Sequence, residues 1–301
     1  PISNVRTNSH QPRIRFGHRS ASFNPKHQIP GPDRLGRFRC MTVPTSPAAL
    51  SVFAPGCLAG RHALITGGGS GIGQATAWLL ADLGASVTVV GRRSEPLAQT
   101  AERHPDLIST ATADLREPDQ VDAMLEGVQA CDFLLNNAGG QFVAQAQDIS
   151  YNGFRAVTRL NLDAPWYLTT QVANRFFIPA QYGKVVSITM TPHRGMPLMA
   201  HSSAARAGVE SLTRNWAAEW GRFGIRAVAL APGIVHTEAW QRYGLSPEQV
   251  GGGLPAGRLQ TADEVAAMAT FLFSPAGDYI TGTTFTCDGG FDITGPTMLG
   301  G

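Results

Sequence analysis

The stretch Thr66-Gly67-Gly68-Gly69-Ser70-Gly71-Ile72-Gly73 decides the fold of this chain. It follows the apolar run His62-Ala63-Leu64-Ile65, which is typical of a buried parallel strand, and it precedes a helical pattern over residues 74–83. Glycine lets the chain turn sharply there, lets a pyrophosphate approach the backbone and lets the helix pack closely on the strand. The helix N-terminus then offers free N–H groups and the positive end of its dipole to phosphate. Strand, glycine turn and helix in this order predict a dinucleotide-binding site.

The composition of the 301 residues, 43% hydrophobic and 15% charged, is that of a globular chain with one large domain or two small ones. No stretch reaches the roughly 18 uninterrupted apolar residues that a membrane span needs, so we expect no membrane partner. Residues 1–40 carry a net charge of +7, which leaves −5 for the rest of a chain whose total is +2. This distribution gives no reason to expect a nucleic-acid partner. The four cysteines are far apart and form no CxxC pair, so we expect no metal site, no disulfide framework and a reducing, cytoplasmic environment.

Residues 1–48 have no periodic apolar pattern and are rich in Pro, Ser, Asn and Arg, which predicts a disordered N-terminal extension. An Arg-rich, acid-poor segment of this kind fits a transit peptide. The alternative is an upstream extension with no role in the fold. We favour the extension because the chain starts at Pro1 and Met41 stands just before the first foldable segment.

From residue 58 onward strand and helix patterns alternate, which predicts an α/β fold with a single-domain, Rossmann-type, doubly wound parallel sheet over residues 49–301. We predict strands at residues 63–66, 86–90, 108–113, 133–135, 184–188, 226–230 and 284–287. We predict helices at residues 74–83, 96–103, 118–127, 151–177, 202–223 and 262–273. The Gly- and Pro-rich segment at about 239–260 is either a lid over the carboxyl ends of the strands or a mobile surface loop.

The second predicted strand ends at Arg92 and Arg93, about 20 residues past the glycine turn. An acidic residue at this position would bond a ribose 2′-hydroxyl and favour NAD, whereas arginine pairs with a 2′-phosphate and favours NADP. No acid stands here. The sequence therefore predicts NADPH as the cofactor, with a solvated pair of surface arginines as the alternative.

Three further motifs follow later strands: Asn136-Asn137-Ala138-Gly139, then Pro232-Gly233-Ile234-Val235-His236-Thr237, then Asp288-Gly289-Gly290. Together with the glycine turn, and in this order and spacing, they resemble the short-chain dehydrogenase/reductase family over about residues 58–292. In that family the residues matching Asp114 and Leu115 flank the adenine, residues 137–139 line the cofactor cleft, and Ile234 and Thr237 contact the nicotinamide end.

The glycine turn, the two arginines and the family resemblance together predict a full set of cofactor contacts. They are Thr66, Gly67, Ser70, Gly71, Ile72, Gly73, Arg92, Arg93, Asp114, Leu115, Asn137, Ala138, Gly139, Arg206, Pro232, Gly233, Ile234 and Thr237.

Asn161 matches the asparagine of the family's usual catalytic tetrad. Four residues later Pro165 has no N–H to donate to the Asn161 carbonyl, so we expect a bend in the helix and a carbonyl open to water or ligand. The alternative is a kink that serves packing alone.

The family's catalytic tyrosine is missing. Where most members have YxxxK, this chain has Ser202 and Arg206, and none of the five tyrosines can be moved into the position. Near the end of the fifth predicted strand, Met190 or Thr189 lies closest to the usual serine. A phenol has a pKa of about 10, which a neighbouring cation lowers, so it can exchange a proton with a carbonyl oxygen. An aliphatic hydroxyl is a far weaker acid, which disfavours ordinary ketone reduction and alcohol oxidation.

Reduction of a carbon–carbon double bond conjugated to a thioester demands less of the protein, because no strong acid is needed at the substrate oxygen. Hydride adds at the β-carbon, charge moves to the thioester oxygen, and hydrogen-bond donors stabilise it there. Residues 137–142 and 201–209, with the run Ser51–Gly56 before the first strand, resemble the peroxisomal trans-2-enoyl-CoA and 2,4-dienoyl-CoA reductase branch, which also has serine in place of tyrosine.

In the dienoyl reductases of that branch an amide at the position of Gln141 holds the thioester carbonyl, a role that we expect Gln141 to share. Arg206 matches their lysine and could bond the nicotinamide ribose. We interpret His201 as a packed, hydrogen-bonded histidine rather than an acid. The dienoyl enzymes' extra tyrosine has no counterpart in residues 189–194, which favours a monoenoyl substrate.

We therefore predict an NADPH-dependent reductase of enoyl-CoA-type thioesters in fatty acid metabolism, acting as a homo-oligomer, a tetramer or a dimer. The predicted catalytic residues are Asn161, Gln141, Ser202 and Arg206. Two alternatives stay open: an alcohol or aldehyde dehydrogenase of isoprenoid-type substrates, and a dinucleotide-binding protein without catalysis.

Overall fold

Seven parallel strands form one sheet in the part of the chain that the computed structural model describes, which is residues 51–193, 195–236 and 250–294. The strand order is β3-β2-β1-β4-β5-β6-β7, so the winding reverses between β1 and β4. The strands are β1 His62–Thr66, β2 Ser86–Gly91, β3 Ile108–Thr112, β4 Phe133–Asn136, β5 Gly183–Ile188, β6 Ile225–Pro232 and β7 Thr283–Cys287. The predicted doubly wound parallel sheet of Rossmann type is confirmed.

Helices cover both faces of the sheet. Those of the described residues are α1 Gly71–Asp82, α2 Ser94–Ala101, α3 Pro118–Glu126, α4 Tyr151–Thr158, α5 Ala164–Val172, α6 Ile178–Ala180, α7 Ala200–Trp220, α8 Ala262–Phe273 and α9 Phe291–Thr294. Each predicted strand and helix is present, with bounds that differ by a few residues. The predicted extension over residues 1–48 and residues 239–249 of the predicted lid lie outside the described residues.

Adjacent side chains of each central strand pack into different hydrophobic cores, one on each face of the sheet. Ile65 of β1 packs in a core with α1 and α8, whereas its neighbour Leu64 packs in a second core with α3, α5 and α7. Both are fully buried, because side chains alternate across a strand and helices cover both faces. This is why the central strands β1, β4, β5 and β6 are mainly apolar in sequence.

The long helical run after β4 is interrupted twice, each time just before a proline. A π-helical segment at Arg159–Asp163 precedes Pro165, and a second one at Ala173–Phe177 precedes Pro179. At the first, the Ala164 N–H donates to the carbonyl of Arg159, five residues back. Proline has no N–H to continue the regular ladder, so the helix widens by one residue at that point. The predicted irregularity at Asn161 is therefore a π-helical turn.

The Thr66 hydroxyl joins β1 to β4 at the point where the winding reverses. Its Oγ1 donates to the carbonyl of Leu135 at 3.1 Å and accepts the N–H groups of Asn137 at 2.9 Å and Ala138 at 3.0 Å. The Asn137 amide donates in return to the carbonyl of Thr66 at 2.9 Å and to that of Gly67 at 3.2 Å. Since Thr66 is buried, no water replaces these bonds, and the two loops at the strand ends are held as one unit.

Replacing Thr66 by valine should therefore lower the free energy of unfolding by about 2–4 kcal/mol, because two backbone donors lose their acceptor. Thr66→Ser keeps the hydroxyl and should cost much less. Urea denaturation of the two variants beside the parent measures the difference. A loss for serine as large as that for valine would show that the hydroxyl is not the main contribution of Thr66 to the junction.

Candidate active site

The glycine turn brings the start of α1 against β2 and β4 with no room for side chains. A Cβ on Gly68 would lie 2.6 Å from the Cβ of Val89, and one on Gly73 would lie 2.4 Å from the carbonyl oxygen of Gly67. Ser70 is the N-cap of α1 but makes no side-chain cap bond, so the N–H groups of the first turn face the turn without a side-chain partner. This bare helix N-terminus is suited to a phosphate group.

The loops after β2 and β3 form a cationic corner beside the glycine turn. Arg92 and Arg93 are exposed there, and Leu115 is buried beneath the corner. Asp114 forms a paired hydrogen bond with Arg116, whose guanidinium, helped by the charge of Arg92, lowers the pKa of Asp114 to about 2. Arg116 was missed by the sequence analysis, although an acid and an arginine two residues apart after a strand are a readable signal.

Asn161 holds the loop after β4 with its side chain. Its Oδ1 accepts the Gly140 N–H at 2.9 Å, and its Nδ2 donates to the Gly140 carbonyl at 3.0 Å. The residue is 4% exposed and stands on the first π-helical segment, which turns the side chain toward the loop. Asn161 therefore positions the segment that carries Gly139 and Gln141.

Arg206 of α7 reaches under Gly139. Its Nη1 donates to the carbonyl of Ile188 at 2.6 Å and lies 3.4 Å from that of Thr189. A Cβ on Gly139 would lie 2.9 Å from the Arg206 Nη2, which explains why glycine is needed there. Within the described residues no carboxylate pairs with this guanidinium, and desolvation lowers the pKa of Arg206 to about 10. It remains a cation at neutral pH.

Three polar atoms around this place are buried without a hydrogen-bond partner among the described residues. They are the Nε of Arg206, the hydroxyl of Thr189, which is 2% exposed, and the Nε2 of His201. Buried polar groups are nearly always paired in a folded protein, so unpaired ones next to a cleft indicate a missing ligand. The hydroxyls and carboxamide of a nicotinamide nucleoside have the acceptors and donors that such groups need. The residues present thus fit a nicotinamide dinucleotide laid across the carboxyl ends of the strands.

Ser202 and Gln141 are hydrogen-bonded across the cleft. Ser202 is fully buried, and its Oγ donates to the Gln141 Oε1 at 3.0 Å; the Met190 Sδ is 3.8 Å away. Gln141 is exposed, so the amide lines the open side and the serine lies behind it.

His201 packs beside this pair. Its Nδ1 accepts the Ser202 backbone N–H at 2.7 Å, and its ring meets the Phe142 ring edge to face at 4.3 Å. Burial lowers the pKa of His201, which keeps the imidazole neutral at pH 7. The ring is fully buried, and of its two nitrogens only Nδ1 is hydrogen-bonded within the described part of the chain.

The last predicted contacts stand at the end of β6. Gly233 donates its N–H to the carbonyl of Cys287 at 3.3 Å, after Pro232 and before Ile234. Asp288 of the Asp-Gly-Gly motif accepts the backbone N–H groups of Gly290 and Asp292, so this motif builds the start of α9. Thr237 lies outside the described residues.

A cavity of 810 Å³ lies between α8, β7 and Phe53, and Ile234 and Asp288 belong to its lining. Its lining includes Met268, Phe271 and Phe285 and contains neither Gln141 nor Arg206. Among residues 51–193, 195–236 and 250–294, no group of three or more His, Cys, Asp or Glu side chains could hold a metal ion. In the same part of the chain no helix is both long and apolar enough to cross a membrane.

The chain is similar in sequence to known reductases. Residues 67–292 match the profile of a family described as enoyl-(acyl carrier protein) reductase. A probable 2,4-dienoyl-CoA reductase of Bacillus subtilis is 36% identical, over 76% of this chain and 96% of its own. The peroxisomal 2,4-dienoyl-CoA reductase of Danio rerio is 32% identical, over 81% of this chain and 85% of its own.

Two solved structures are also similar. A citronellol catabolism dehydrogenase of Pseudomonas aeruginosa PAO1 is 37% identical with a TM-score of 0.70, over 79% of this chain and 97% of its own. A gluconate 5-dehydrogenase of Burkholderia cenocepacia, in complex with NADP and tartrate, is 34% identical with a TM-score of 0.73, over the same shares of the two chains.

Replacing Arg206 by methionine should weaken dinucleotide binding without lowering the stability of the fold. The change removes a partly buried cation that has no carboxylate partner within the described part of the chain, so the free energy of unfolding should stay within about 1 kcal/mol of the parent or rise. Dinucleotide affinity should fall at least about tenfold, the worth of one charge-assisted hydrogen bond. Arg206→Lys, which keeps the charge, is the matched control. Calorimetric titration and thermal melting measure both quantities, and an unchanged dissociation constant in the methionine variant would remove Arg206 from the cofactor site.

Proposed function

The chain belongs to the short-chain dehydrogenase/reductase family of oxidoreductases, and within that family we propose that it reduces the 2,3 double bond of enoyl-CoA-type thioesters with NADPH. The proposed substrate class rests on one observation. The residue at the place of the usual tyrosine, Ser202, is fully buried and its hydroxyl is bonded to Gln141. A group so placed is poorly suited to give a proton to a ketone oxygen.

Enoyl reduction needs a donor to an oxygen rather than an acid. The Oε1 of Gln141 is bonded to Ser202, which leaves its Nε2 as the end of the amide free to meet a substrate. When bound, the reduced nicotinamide supplies a hydride equivalent to the β-carbon of the substrate. Negative charge then moves to the thioester oxygen, where the Gln141 Nε2–H stabilises it. Water or a weak acid at the open side protonates the α-carbon.

The relatives support the thioester class, since two of them carry the name 2,4-dienoyl-CoA reductase at 36% and 32% identity. We propose a monoenoyl substrate rather than a dienoyl one, because the extra tyrosine of the dienoyl enzymes has no counterpart in residues 189–194.

The experiment is to incubate the purified protein with NADPH and a panel of 2-enoyl-CoAs, 2,4-dienoyl-CoAs and ketones, and to follow NADPH oxidation and the products. The proposal expects turnover of 2-enoyl-CoAs above all others. Faster turnover of dienoyl-CoAs would move the substrate assignment to the dienoyl branch. Turnover of ketones alone would overturn the thioester class.

A second candidate is a dehydrogenase of isoprenoid-type alcohols or aldehydes. The similarity to the citronellol catabolism dehydrogenase, at 37% identity, favours it. Citronellol with NADP, and citronellal with NADPH, therefore belong in the same panel. A protein that binds the dinucleotide but turns over no member of the panel would support the third interpretation, binding without catalysis.

We also propose that the protein acts as a homo-oligomer, a dimer or a tetramer, in the cytoplasm. Three large side chains of α4 and α5 are exposed, Tyr151, Phe154 and Trp166, and a second copy could cover them. One of the two relatives is bacterial and the other is named peroxisomal, so the relatives do not agree on a location. The cytoplasmic location therefore rests on the cysteine pattern alone.

We expect NADPH to bind much more tightly than NADH. Arg92 makes no hydrogen bond or ion pair within the described residues, so its exposed guanidinium is free to pair with a 2′-phosphate. Arg92→Ala should weaken NADPH binding by about tenfold or more and leave NADH nearly unchanged. Fluorescence titration with both cofactors measures this, with Arg103→Ala, a surface arginine paired to Asp82, as the control. Equal dissociation constants for the two cofactors in the parent would refute the choice of NADPH.

Removing the Gln141 amide should slow the chemical step more than it weakens substrate binding. Loss of one donor to a developing oxyanion typically costs about a hundredfold to a thousandfold in rate. Steady-state rates of Gln141→Ala with a short enoyl-CoA and NADPH test this. Gln145→Ala is the matched control, because Gln145 is an exposed amide on the same loop. A Gln141→Ala variant with the parent kcat would show that another group stabilises the oxygen.

A further inference from the structure

We infer that Ser202 is a positioning residue, which determines the end of the Gln141 amide that faces the substrate. The inference rests on the proposed function, because it concerns the hydrogen bond that Gln141 offers to the thioester oxygen. It assigns to Ser202 a role other than proton transfer.

An amide has an acceptor end and a donor end that are nearly equal in size and shape. A free Gln141 could therefore present either its oxygen or its NH₂ group to the cleft. The thioester oxygen is an acceptor, so only the orientation with NH₂ toward the cleft is productive. A neighbouring group with a definite donor is needed to select that orientation.

The Ser202 hydroxyl is that donor. It is fully buried, it lies 3.0 Å from the Gln141 Oε1, and the other acceptor near it is the Met190 thioether sulfur at 3.8 Å. If the amide were reversed, its NH₂ would donate to the serine oxygen, and the serine proton would have to turn to the sulfur. A thioether is a weak acceptor, whereas an amide oxygen is a strong one. The productive orientation is therefore the more stable of the two.

Contacts of the neighbouring residues hold the Ser202–Gln141 pair in place. His201, next to Ser202, packs its ring edge to face on Phe142, next to Gln141, at 4.3 Å. The His201 Nδ1 also accepts the Ser202 backbone N–H at 2.7 Å. Two neighbouring residues of the loop thus meet two neighbouring residues at the start of α7. The serine hydroxyl has little freedom to move away from the amide.

A double-mutant cycle tests the inference with a short enoyl-CoA and NADPH. Ser202→Ala should lower kcat by about three- to tenfold, the worth of one neutral hydrogen bond. In the Gln141→Ala background the same change should alter kcat less than about twofold, because no amide is left to orient. Ser202→Cys, a weaker donor of similar size, should fall between serine and alanine. Ser203→Ala is the matched control, since the Ser203 hydroxyl bonds the Met196 N–H instead.

A second measurement does not depend on turnover. In protein labelled with ¹⁵N-glutamine, the side-chain NH₂ pair of Gln141 is identified by its loss in Gln141→Ala. Ser202→Ala should shift that pair, and Ser203→Ala should leave it in place. If the parent turns over no enoyl thioester, the proposed function fails, and this spectrum still tests the positioning.

Two results would overturn the inference. One is an active parent in which Ser202→Ala costs the same factor with and without Gln141, as a proton donor would. The other is a Gln141 NH₂ pair that does not respond to Ser202→Ala.

Discussion

The hydrogen bonds of the Thr66 hydroxyl hold together the two strand ends between which the sheet reverses its winding. Parallel strands all open their carboxyl ends on one edge, and the loops after β1 and β4 diverge there. A crevice at such a point is where an extended ligand can lie. One buried oxygen bonded to Leu135, Asn137 and Ala138 keeps the two loops at a constant separation. The glycine turn and the segment with Gly139 depend on that separation.

Arg206, beyond the crevice, stands in an unusual environment. Among the described residues, the partly buried Arg206 is held by backbone carbonyls of β5 and its continuation and by no carboxylate, so its charge is partly desolvated and unpaired. Such a charge is costly in the absence of ligand. A fold retains it where a ligand supplies the missing partner, and the unpaired Thr189 hydroxyl nearby points to the same conclusion. The site is therefore built for binding at some expense to stability.

Loss of the tyrosine changes how the site handles a proton. A phenol in the usual place would reach the substrate oxygen directly, whereas Ser202 is shorter, buried and committed to Gln141. The donor that reaches the open side is then a neutral amide, which can stabilise charge but cannot supply a proton. Chemistry that needs charge stabilisation on oxygen and protonation at carbon suits this arrangement better than chemistry that needs an acid on oxygen.

Residue patterns within short stretches of the chain were sufficient to predict the strands, the main helices, the glycine turn and the family, because each depends on residues that are close together in the chain. Apolar runs of four to eight residues, glycines at a tight turn and a proline four residues after Asn161 act locally, and the structure shows each of them. The partners of the polar side chains, by contrast, become visible in the folded chain alone. Ser202 meets Gln141 across 61 residues and Asn161 meets Gly140 across 21, and such distances depend on how helices pack on the sheet. The orientation of the Arg206 guanidinium, which pairs with no carboxylate among the described residues, depends likewise on side-chain directions, which no local pattern of residues encodes.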